Sequence, residues 1–446
     1  MNILIITTYF PPDSTIAAIR PYMFAKYLAR SGHKVTVLRS GDFFRAPDRS
    51  YPALDGLKVI SYLGKDSPAE AFERGELRSW SLPESKSRIS FLPEKIRLPI
   101  AKAYHSFANL WAVERMKHNI KVPFDKQKKV LNSLRTEGER FDVIFATYGN
   151  LENIYAGKYA SELFDCPWIL DFRDPIAMPF HFNGLSLSRM KHFQDQWISQ
   201  ADACTVVSNG LRESSKGFRH SKKTATIYNG YEFFEGDGGG TPEPDVFSLC
   251  YTGMLYDGKR DITPLLKALK LLYSEGKIDL TRVRIDHAGP DFQYMQAAAE
   301  TLGMAACLAD HGYVTRDEAS RLQKSSDIFL LLSWNTQIDK GVISGKFYEG
   351  IRCGRPILAL IAGDVPDSEL YELNETYHYG FCYEECRPQQ FQQLCDFLLQ
   401  AYRQKMEHGS PDYAPSEEFS TAFRYDTLTK KLETLCEKLI RERLQA

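Results

Sequence analysis

The segment Asp339-Lys340-Gly341-Val342-Ile343-Ser344-Gly345-Lys346-Phe347-Tyr348-Glu349 follows an apolar run that ends near Leu332. Lys346 and Glu349 are three positions apart. A helix that begins here puts both on one face of its first turn. Such a pair divides the work on one ligand: the cation and the free N–H groups of the helix start take phosphate charge, and the carboxylate accepts hydrogen bonds from ribose hydroxyls. A surface ion pair of little energetic weight is the plain alternative. A second cationic step lies earlier. Thr252-Gly253 ends a strand-like run, Lys259-Arg260-Asp261 follows in a loop, and Thr263-Pro264 reads as an N-cap with a first-turn proline. Adjacent cations before a helix suit a diphosphate, although a solvated charge pair accounts for them equally well. A third loop, from Thr7 to Arg20, holds Tyr9-Phe10-Pro11-Pro12 and Ser14-Thr15-Ile16-Ala17-Ala18. Its small residues allow a ligand close to the backbone, or it is an ordinary βα connection.

These loops need strands and helices to hold them. Apolar runs at Ile3–Ile6, Val35–Leu38, Val143–Ala146, Trp168–Leu170 and Thr205–Val207 alternate with helical patterns. This is the signature of βαβ units around a parallel sheet. Glu235 to Asp245 has no apolar side chain and many turn residues, which predicts a linker. A second alternation follows, with strand-like runs at Leu249–Tyr251, Val283–Ile285, Ile328–Leu332 and Ile357–Leu360. The helix of Lys346 is expected to stop at Cys353-Gly354-Arg355-Pro356. The reading is two Rossmann-like, doubly wound domains. Residues 1–235 form the first, residues 246–416 the second, and residues 417–446 a C-terminal helix that returns to the first. Open sheets of this type bind ligands outside the carboxyl ends of their strands, so a cleft between the two sheets is the expected site.

Length and composition agree with this division. At 446 residues the chain exceeds one ordinary core, and 43% hydrophobic with 25% charged residues is the balance of a globular protein. The net charge of −1 supplies no global field for nucleic acid. No run reaches the roughly 20 apolar residues of a transmembrane helix. Met1 to Ile6 reads as a strand rather than a signal peptide. The nine cysteines, among them Cys204, Cys250 and Cys353, form no CxxC pair and are expected as buried, reduced thiols. A cytoplasmic location follows as an expectation.

Taken in order, these residues resemble the family 4 glycosyltransferases, retaining enzymes of the GT-B fold. The resemblance runs over nearly the whole chain. It rests on Tyr9-Phe10-Pro11-Pro12, Gly32-His33-Lys34-Val35-Thr36-Val37, Asp171-Phe172-Arg173-Asp174-Pro175, Val207-Ser208 and Ile227-Tyr228-Asn229-Gly230. In the second half it rests on Tyr251-Thr252-Gly253, Gly289, Lys346-Phe347-Tyr348-Glu349 and Gly354-Arg355-Pro356-Ile357. It implies a hexosyltransferase-type enzyme, with a UDP- or GDP-sugar as donor and a glycan or lipid-linked acceptor, in cell-envelope or exopolysaccharide biosynthesis. It implies no cofactor and no obligatory metal. Lys259 or Arg260, with Lys346, would neutralise the diphosphate, and Glu349 would bind the ribose. Gly253, Gly289, Tyr313, Val314 and Lys340 would complete the donor side, with Tyr9, Ser14, Thr15 and Arg173 on the acceptor side. Arg260, Lys346, Arg173 and Asp174 are the candidate catalytic residues. The chain departs from the family twice. Gly341 stands where a first glutamate is frequent, eight positions before Glu349. Arg173 stands where a histidine is frequent; it either orients a substrate or pairs with Asp171 or Asp174 as a loop brace.

From Lys86 to Arg135, twelve Lys and Arg face three Asp and Glu, with Phe91, Leu92, Ile96, Leu98, Ile100, Phe107, Leu110 and Trp111 interleaved. This insertion is expected to be helical. It either touches an anionic bilayer or solvates a basic face. Competing readings of the chain are a GT-B nucleotide-sugar epimerase and a non-catalytic nucleotide-sugar-binding protein. A Rossmann oxidoreductase is disfavoured, because Thr7 to Arg20 contains no glycine.

Overall fold

The structure is a computed structural model that describes residues 1–13, 15–41, 54, 56–63, 111–178, 182, 184–221, 223–232, 239–337 and 339–445. It divides into two compact units. One comprises Met1–Tyr228 with Leu428–Ala446, the other Asn229–Thr427.

The first unit is built on a parallel sheet of β1 (Asn2–Ile6), β2 (Lys34–Arg39), β3 (Lys58–Ser61), β4 (Val143–Tyr148), β5 (Trp168–Phe172), β6 (Ala203–Val206) and β7 (Thr224–Thr226). The order across the sheet is β3-β2-β1-β4-β5-β6-β7. Ile3 pairs with Val35 on one side and Val143 on the other. Ile3, Leu4, Ile5 and Ile6 are all fully buried. A strand covered on both faces needs an unbroken apolar run rather than an alternating one, and this sequence supplies it. Helices α1 (Ile16–Arg30), α2 (Ala112–Asn119), α3 (Lys121–Thr136), α4 (Leu151–Phe164) and α5 (Gly184–Gln200) belong to this unit.

A buried ion pair ties its central elements together. Arg20 of α1 gives Nη2 to Asp171 Oδ1 at 2.8 Å, and Thr205 Oγ1 donates to the same oxygen at 2.6 Å. Arg20 Nη1 reaches the Tyr228 carbonyl at 2.7 Å. The two charged side chains are 1% and 0% exposed. Charges this deep persist only when their partners satisfy them, and here α1, β5, β6 and the segment after β7 all contribute.

The second unit has β8 (Phe247–Thr252), β9 (Val283–Ala288), β10 (Leu308–Asp310), β11 (Ile328–Trp334), β12 (Ile357–Ala362) and β13 (Gly380–Glu384). They are parallel, in the order β10-β9-β8-β11-β12-β13. Its helices include α6 (Thr263–Ser274), α7 (Phe292–Leu302), α8 (Arg316–Lys324), α9 (Gly345–Cys353) and α10 (Gln390–His408). Lys405 of α10 and Asp327, both fully buried, pair at 2.9 Å. Ser248 donates N–H and Oγ–H to the other Asp327 oxygen at 2.9 and 3.0 Å. The final helix, α11 (Tyr425–Gln445), lies mostly in the first unit, where Glu433 meets His33 at 2.6 Å and Arg443 meets Asp165 at 2.7 Å.

All nine cysteines are free thiols, seven of them buried. Burial holds the Cys204 and Cys250 thiols well above their ordinary range and pushes Cys353 up to about 12. No helix among the described residues is long and apolar enough to cross a membrane. Within the basic insertion, residues 86–110 lie outside the described residues, as do 233–238 of the expected linker.

Candidate functional site

Each sheet reverses its strand order once, between β1 and β4 in the first unit and between β8 and β11 in the second. At such a switch point the loops diverge to opposite faces and leave a crevice at the carboxyl ends of the strands. The second unit gathers most of the expected donor residues there.

The helix of Lys346 and Glu349 spans Gly345–Cys353, and Gly354 ends it at φ 69°, as the glycine stop signal predicts. Phe347 anchors it to the unit's core through Phe423 at 5.3 Å and Tyr379 at 5.5 Å, ring centre to ring centre. Lys346 and Glu349 do share a face: Nζ lies 2.6 Å from Glu349 Oε2 and 3.3 Å from Thr252 Oγ1. An ammonium has three N–H donors. Two are occupied, and the third has no acceptor among the described residues. Glu349 Oε2 also accepts from Gln323 Nε2 at 2.9 Å, while Oε1 has no partner among the described residues. Burial pushes the Glu349 carboxyl up, but the Lys346 charge and the Lys346 and Gln323 hydrogen bonds outweigh it and hold the group below its ordinary value. Ser344, at the N-cap, makes no side-chain cap bond, and its buried Oγ has no partner among the described residues.

Lys259 and Arg260 part company. Lys259 is exposed, whereas Arg260 is 7% exposed. Arg260 Nη1 donates to Tyr251 Oη at 2.9 Å and to the Met254 carbonyl at 3.0 Å. Its guanidinium carbon sits 4.6 Å from the Tyr256 ring centre and 5.5 Å from that of Trp334. Buried Nε has no acceptor among the described residues. Among the described residues no carboxylate pairs with Arg260, so a desolvated cation sits at the switch point balanced only by ring faces and dipoles. Burial pushes Tyr251 up to about 12 against the lowering effect of Arg260, so its hydroxyl is a neutral partner.

Gly253 links the two cations. A Cβ on it would meet Lys346 Cε at 3.2 Å and Tyr251 Oη at 3.4 Å. Gly289, at φ 147°, lies so close to Gly253 that an added Cβ would come within 2.4 Å of the Gly253 carbonyl oxygen. The loops after β8 and β9 touch backbone to backbone, which only glycine permits. Gly289 N–H continues the line to the Gly312 carbonyl at 2.8 Å.

Two expectations need correction, the Thr263 N-cap and the Arg173 brace. Thr263 is not an N-cap but the first residue of α6; the Asp261 carboxylate takes the Thr263 N–H at 2.8 Å and its hydroxyl at 2.6 Å. Arg173 is not a brace on Asp171 or Asp174, because Arg20 already occupies Asp171; it donates instead to the Ala17 carbonyl at 2.9 Å. Lys340 is exposed and makes no ion pair among the described residues. Tyr313 is 85% exposed and Val314 partly so, next to the box in which Thr315 and Glu318 cap α8. Asp174 is exposed. Thr15 caps α1 without a side-chain bond, its buried Oγ1 has no partner among the described residues, and Ser14 lies outside them.

The first unit's switch point also holds a polar group that the sequence reading missed. Glu152, in the first turn of α4, is 5% exposed, and the Tyr62 hydroxyl donates to it at 3.4 Å. Burial raises its carboxyl above the ordinary range despite hydrogen bonds from its own N–H, Asn150 and Tyr62. Asn153 beside it donates to Thr8 Oγ1 at 2.9 Å and the Thr147 carbonyl at 3.1 Å. Burial and the Glu152 charge raise Tyr9, against the lowering effect of Arg173. A one-turn-in glutamate carries no sequence signal beyond suiting a helix N-terminus.

No protein-family model and no curated protein matches the chain. Solved structures do. Sucrose-phosphate synthase from Thermosynechococcus elongatus superposes with a TM-score of 0.55 at 11% identity, covering 99% of this chain and 100% of that one. Anabaena HepE in complex with UDP and glucose gives 0.54 at 14% identity, covering 98% and 100%. The chain has the GT-B fold. Identity this low establishes fold alone, and a candidate UDP-N-acetylglucosamine 2-epimerase from Listeria monocytogenes also superposes, with a TM-score of 0.50 at 9% identity over 99% and 98% of the two chains.

The ion pair at the helix start makes a titration prediction. The folded Glu349 pKa is lowered, so the carboxylate contributes stability at pH above its unfolded value and loses it as pH falls through the folded value. In Lys346→Met only burial and the weaker partners remain. The Glu349 carboxyl should then titrate above its ordinary value and oppose folding as pH rises. Carbon-detected NMR titration of Glu349 in both proteins reads the sign change; an unmoved pKa would mean that Lys346 does not govern this carboxyl.

Proposed function

We propose that this chain is a retaining glycosyltransferase that takes a UDP- or GDP-sugar through its second unit and passes the sugar to a glycan or lipid-linked acceptor in envelope or exopolysaccharide biosynthesis. The observation that carries the reading is the buried Arg260 guanidinium, which has no counter-ion among the described residues and is joined through Tyr251 and Gly253 to an ammonium with a donor to spare. A desolvated cation is costly unless an anion arrives to pair with it. A diphosphate matches that need, and the unoccupied Glu349 Oε1 matches the hydroxyls of an attached ribose. The complex of Anabaena HepE with UDP and glucose supports a nucleotide sugar for this fold.

In the proposed reaction the bond from the anomeric carbon to the diphosphate breaks and its electron pair leaves on the phosphate oxygen. Arg260, Lys346 and the start of α9 stabilise that charge as it grows. The acceptor oxygen bonds to the anomeric carbon, and its proton goes to the leaving phosphate. No protein nucleophile and no metal step are invoked. Acceptor recognition is assigned to the first unit's crevice, with Tyr9, Thr15, Arg173 and Asp174, and with Glu152 beside them. The epimerase reading uses the same donor site without an acceptor. Product analysis separates the two, because only transfer consumes a second sugar or lipid.

Truncations at the site should fail differently. Lys346→Ala removes a charge contact that strengthens as the leaving group departs, so kcat should fall about 100-fold with donor KM little changed. Glu349→Ala removes contacts that stay the same throughout, so donor KM should rise about 10-fold or more at similar kcat. Steady-state kinetics with donor calorimetry gives both numbers. Unaltered donor affinity and turnover in both variants would place the site elsewhere.

A peripheral membrane contact is part of the proposal. On α2 and α5, Arg115, Lys117, Arg189 and Lys191 are exposed, and Trp111 and Leu185 are 59% and 67% exposed. Between these helices lies a groove of about 310 Å³ lined in part by Lys117, Arg189 and His192. Lys128 is less suited to lipid, since it packs over the Phe124 and Tyr159 rings at 5.3 and 5.0 Å. The full chain should bind vesicles containing phosphatidylglycerol, more weakly as salt rises. Lys117→Glu with Arg189→Glu should weaken binding further, and Trp111→Ala should weaken it at every salt concentration. Binding that none of these changes would leave a solvated basic face.

A further inference from the structure

We propose that Gln323 is the positioning residue of the donor site: its side-chain amide fixes the Glu349 carboxylate so that one oxygen is held back and the other is presented to ligand. The inference rests on the donor reading given above.

Gln323 lies near the end of α8 and is 2% exposed. Its Nε2 donates to Thr252 Oγ1 at 2.6 Å and to Glu349 Oε2 at 2.9 Å. A carboxylate accepts only, so the nitrogen of the amide, not its oxygen, must face Glu349. The main chain at this position is equally fixed. The Gln323 carbonyl accepts from Ser326 Oγ at 2.7 Å and from Cys353 Sγ at 3.1 Å, which ties the end of α8 to the end of α9. Gln323 is therefore a rigid bracket between β8 and α9.

Two consequences follow from counting donors and acceptors. Glu349 Oε2 is doubly engaged, by Gln323 and by Lys346 at 2.6 Å. With that oxygen pinned, the carboxylate cannot swing round to chelate the ammonium with both oxygens. Oε1 is left to accept from a ligand, and the ammonium keeps its third N–H. Thr252 Oγ1, for its part, accepts from both Gln323 at 2.6 Å and Lys346 at 3.3 Å. Its own proton has no acceptor among the described residues, so a hydroxyl donor stands unspent next to Lys346. One amide thus orients two groups of opposite function: an acceptor for hydroxyls and a donor for phosphate oxygen. Removing it frees the Glu349 carboxylate, whose ribose contacts stay the same throughout the reaction, so ground-state binding of the donor should fall more than turnover.

The decisive variant is Gln323→Glu, which keeps the size and replaces the N–H donors with a carboxyl. Two carboxyls in contact share one proton and titrate as a pair. At pH 5.5 the shared proton supplies one hydrogen bond and the geometry is largely kept. At pH 8 both ionise, repel and misplace Glu349. Affinity for the nucleotide sugar should then fall about 10-fold or more between pH 5.5 and 8 in Gln323→Glu, while the wild type stays flat. Sugar diphosphate esters do not titrate in this range. The probes are UDP-glucose, GDP-mannose and ADP-glucose, measured by calorimetry on the full chain, with the tightest carried forward. Gln323→Met keeps the packing and loses both donors; its donor KM should rise about 10-fold at every pH, with kcat within about twofold. This variant decides the matter if Gln323→Glu does not fold. Donor affinities that track the wild type at every pH in either folded variant overturn the positioning role. A wild type that binds none of the three probes removes the donor reading, and the inference with it.

Discussion

The second unit keeps a guanidinium out of water with no carboxylate among the described residues to balance it, and its candidate site is organised around that fact. Arg260 is held by one phenol, one carbonyl and two ring faces. Those contacts are weaker compensation than an ion pair, so the cation retains much of its demand for negative charge. Two other buried cations of the same chain have carboxylate partners: Arg20 has Asp171, and Lys405 has Asp327. The contrast separates structural cations from one that the fold leaves open.

The placement of this cation follows from topology. Both sheets reverse at their first strand, and the reversal sends the loops after β8 and β11 to opposite faces. Gly253 and Gly289 then allow the loops after β8 and β9 to touch, which brings Tyr251, Lys346 and Arg260 to one edge. The aromatic packing of Phe347 fixes the rotation of α9, and the Gln323 amide fixes the last torsions of Glu349. Each step narrows the freedom left by the one before. Backbone sterics set the loops, core packing sets the helix, and hydrogen bonds set the side chains.

How much of this was readable in the sequence depends on what each residue touches. The buried strands were legible because cover on both faces demands unbroken apolar runs, as at Ile3–Ile6 and Ile328–Leu332. The strands missed were β3, β7, β10 and β13, the four sheet edges. An edge strand has a neighbour on one side only and tolerates short, mixed sequences such as Lys58–Ser61, Thr224–Thr226 and Leu308–Asp310. The Lys346–Glu349 pair was legible because helical spacing alone brings it together. Its third partner was not: Gln323 comes from another helix, and a glutamine near a helix end looks like any solvated residue. Glu152 escaped for the same reason, and the Arg173 brace failed because Arg20, distant in sequence, had already taken Asp171.

If Arg260 is a buried charge reserved for a diphosphate, the melting temperature of Arg260→Met with and without inorganic pyrophosphate will show it. Replacing an uncompensated buried charge with an apolar side chain of similar length is neutral or stabilising, whereas a ligand that binds only the folded state raises its melting temperature. Pyrophosphate should then stabilise the wild type, ligand-free Arg260→Met should melt no lower than the wild type, and this variant should have lost the pyrophosphate shift. A variant that melts lower without ligand yet keeps the full shift would contradict it, since Arg260 would then brace the fold and bind no anion.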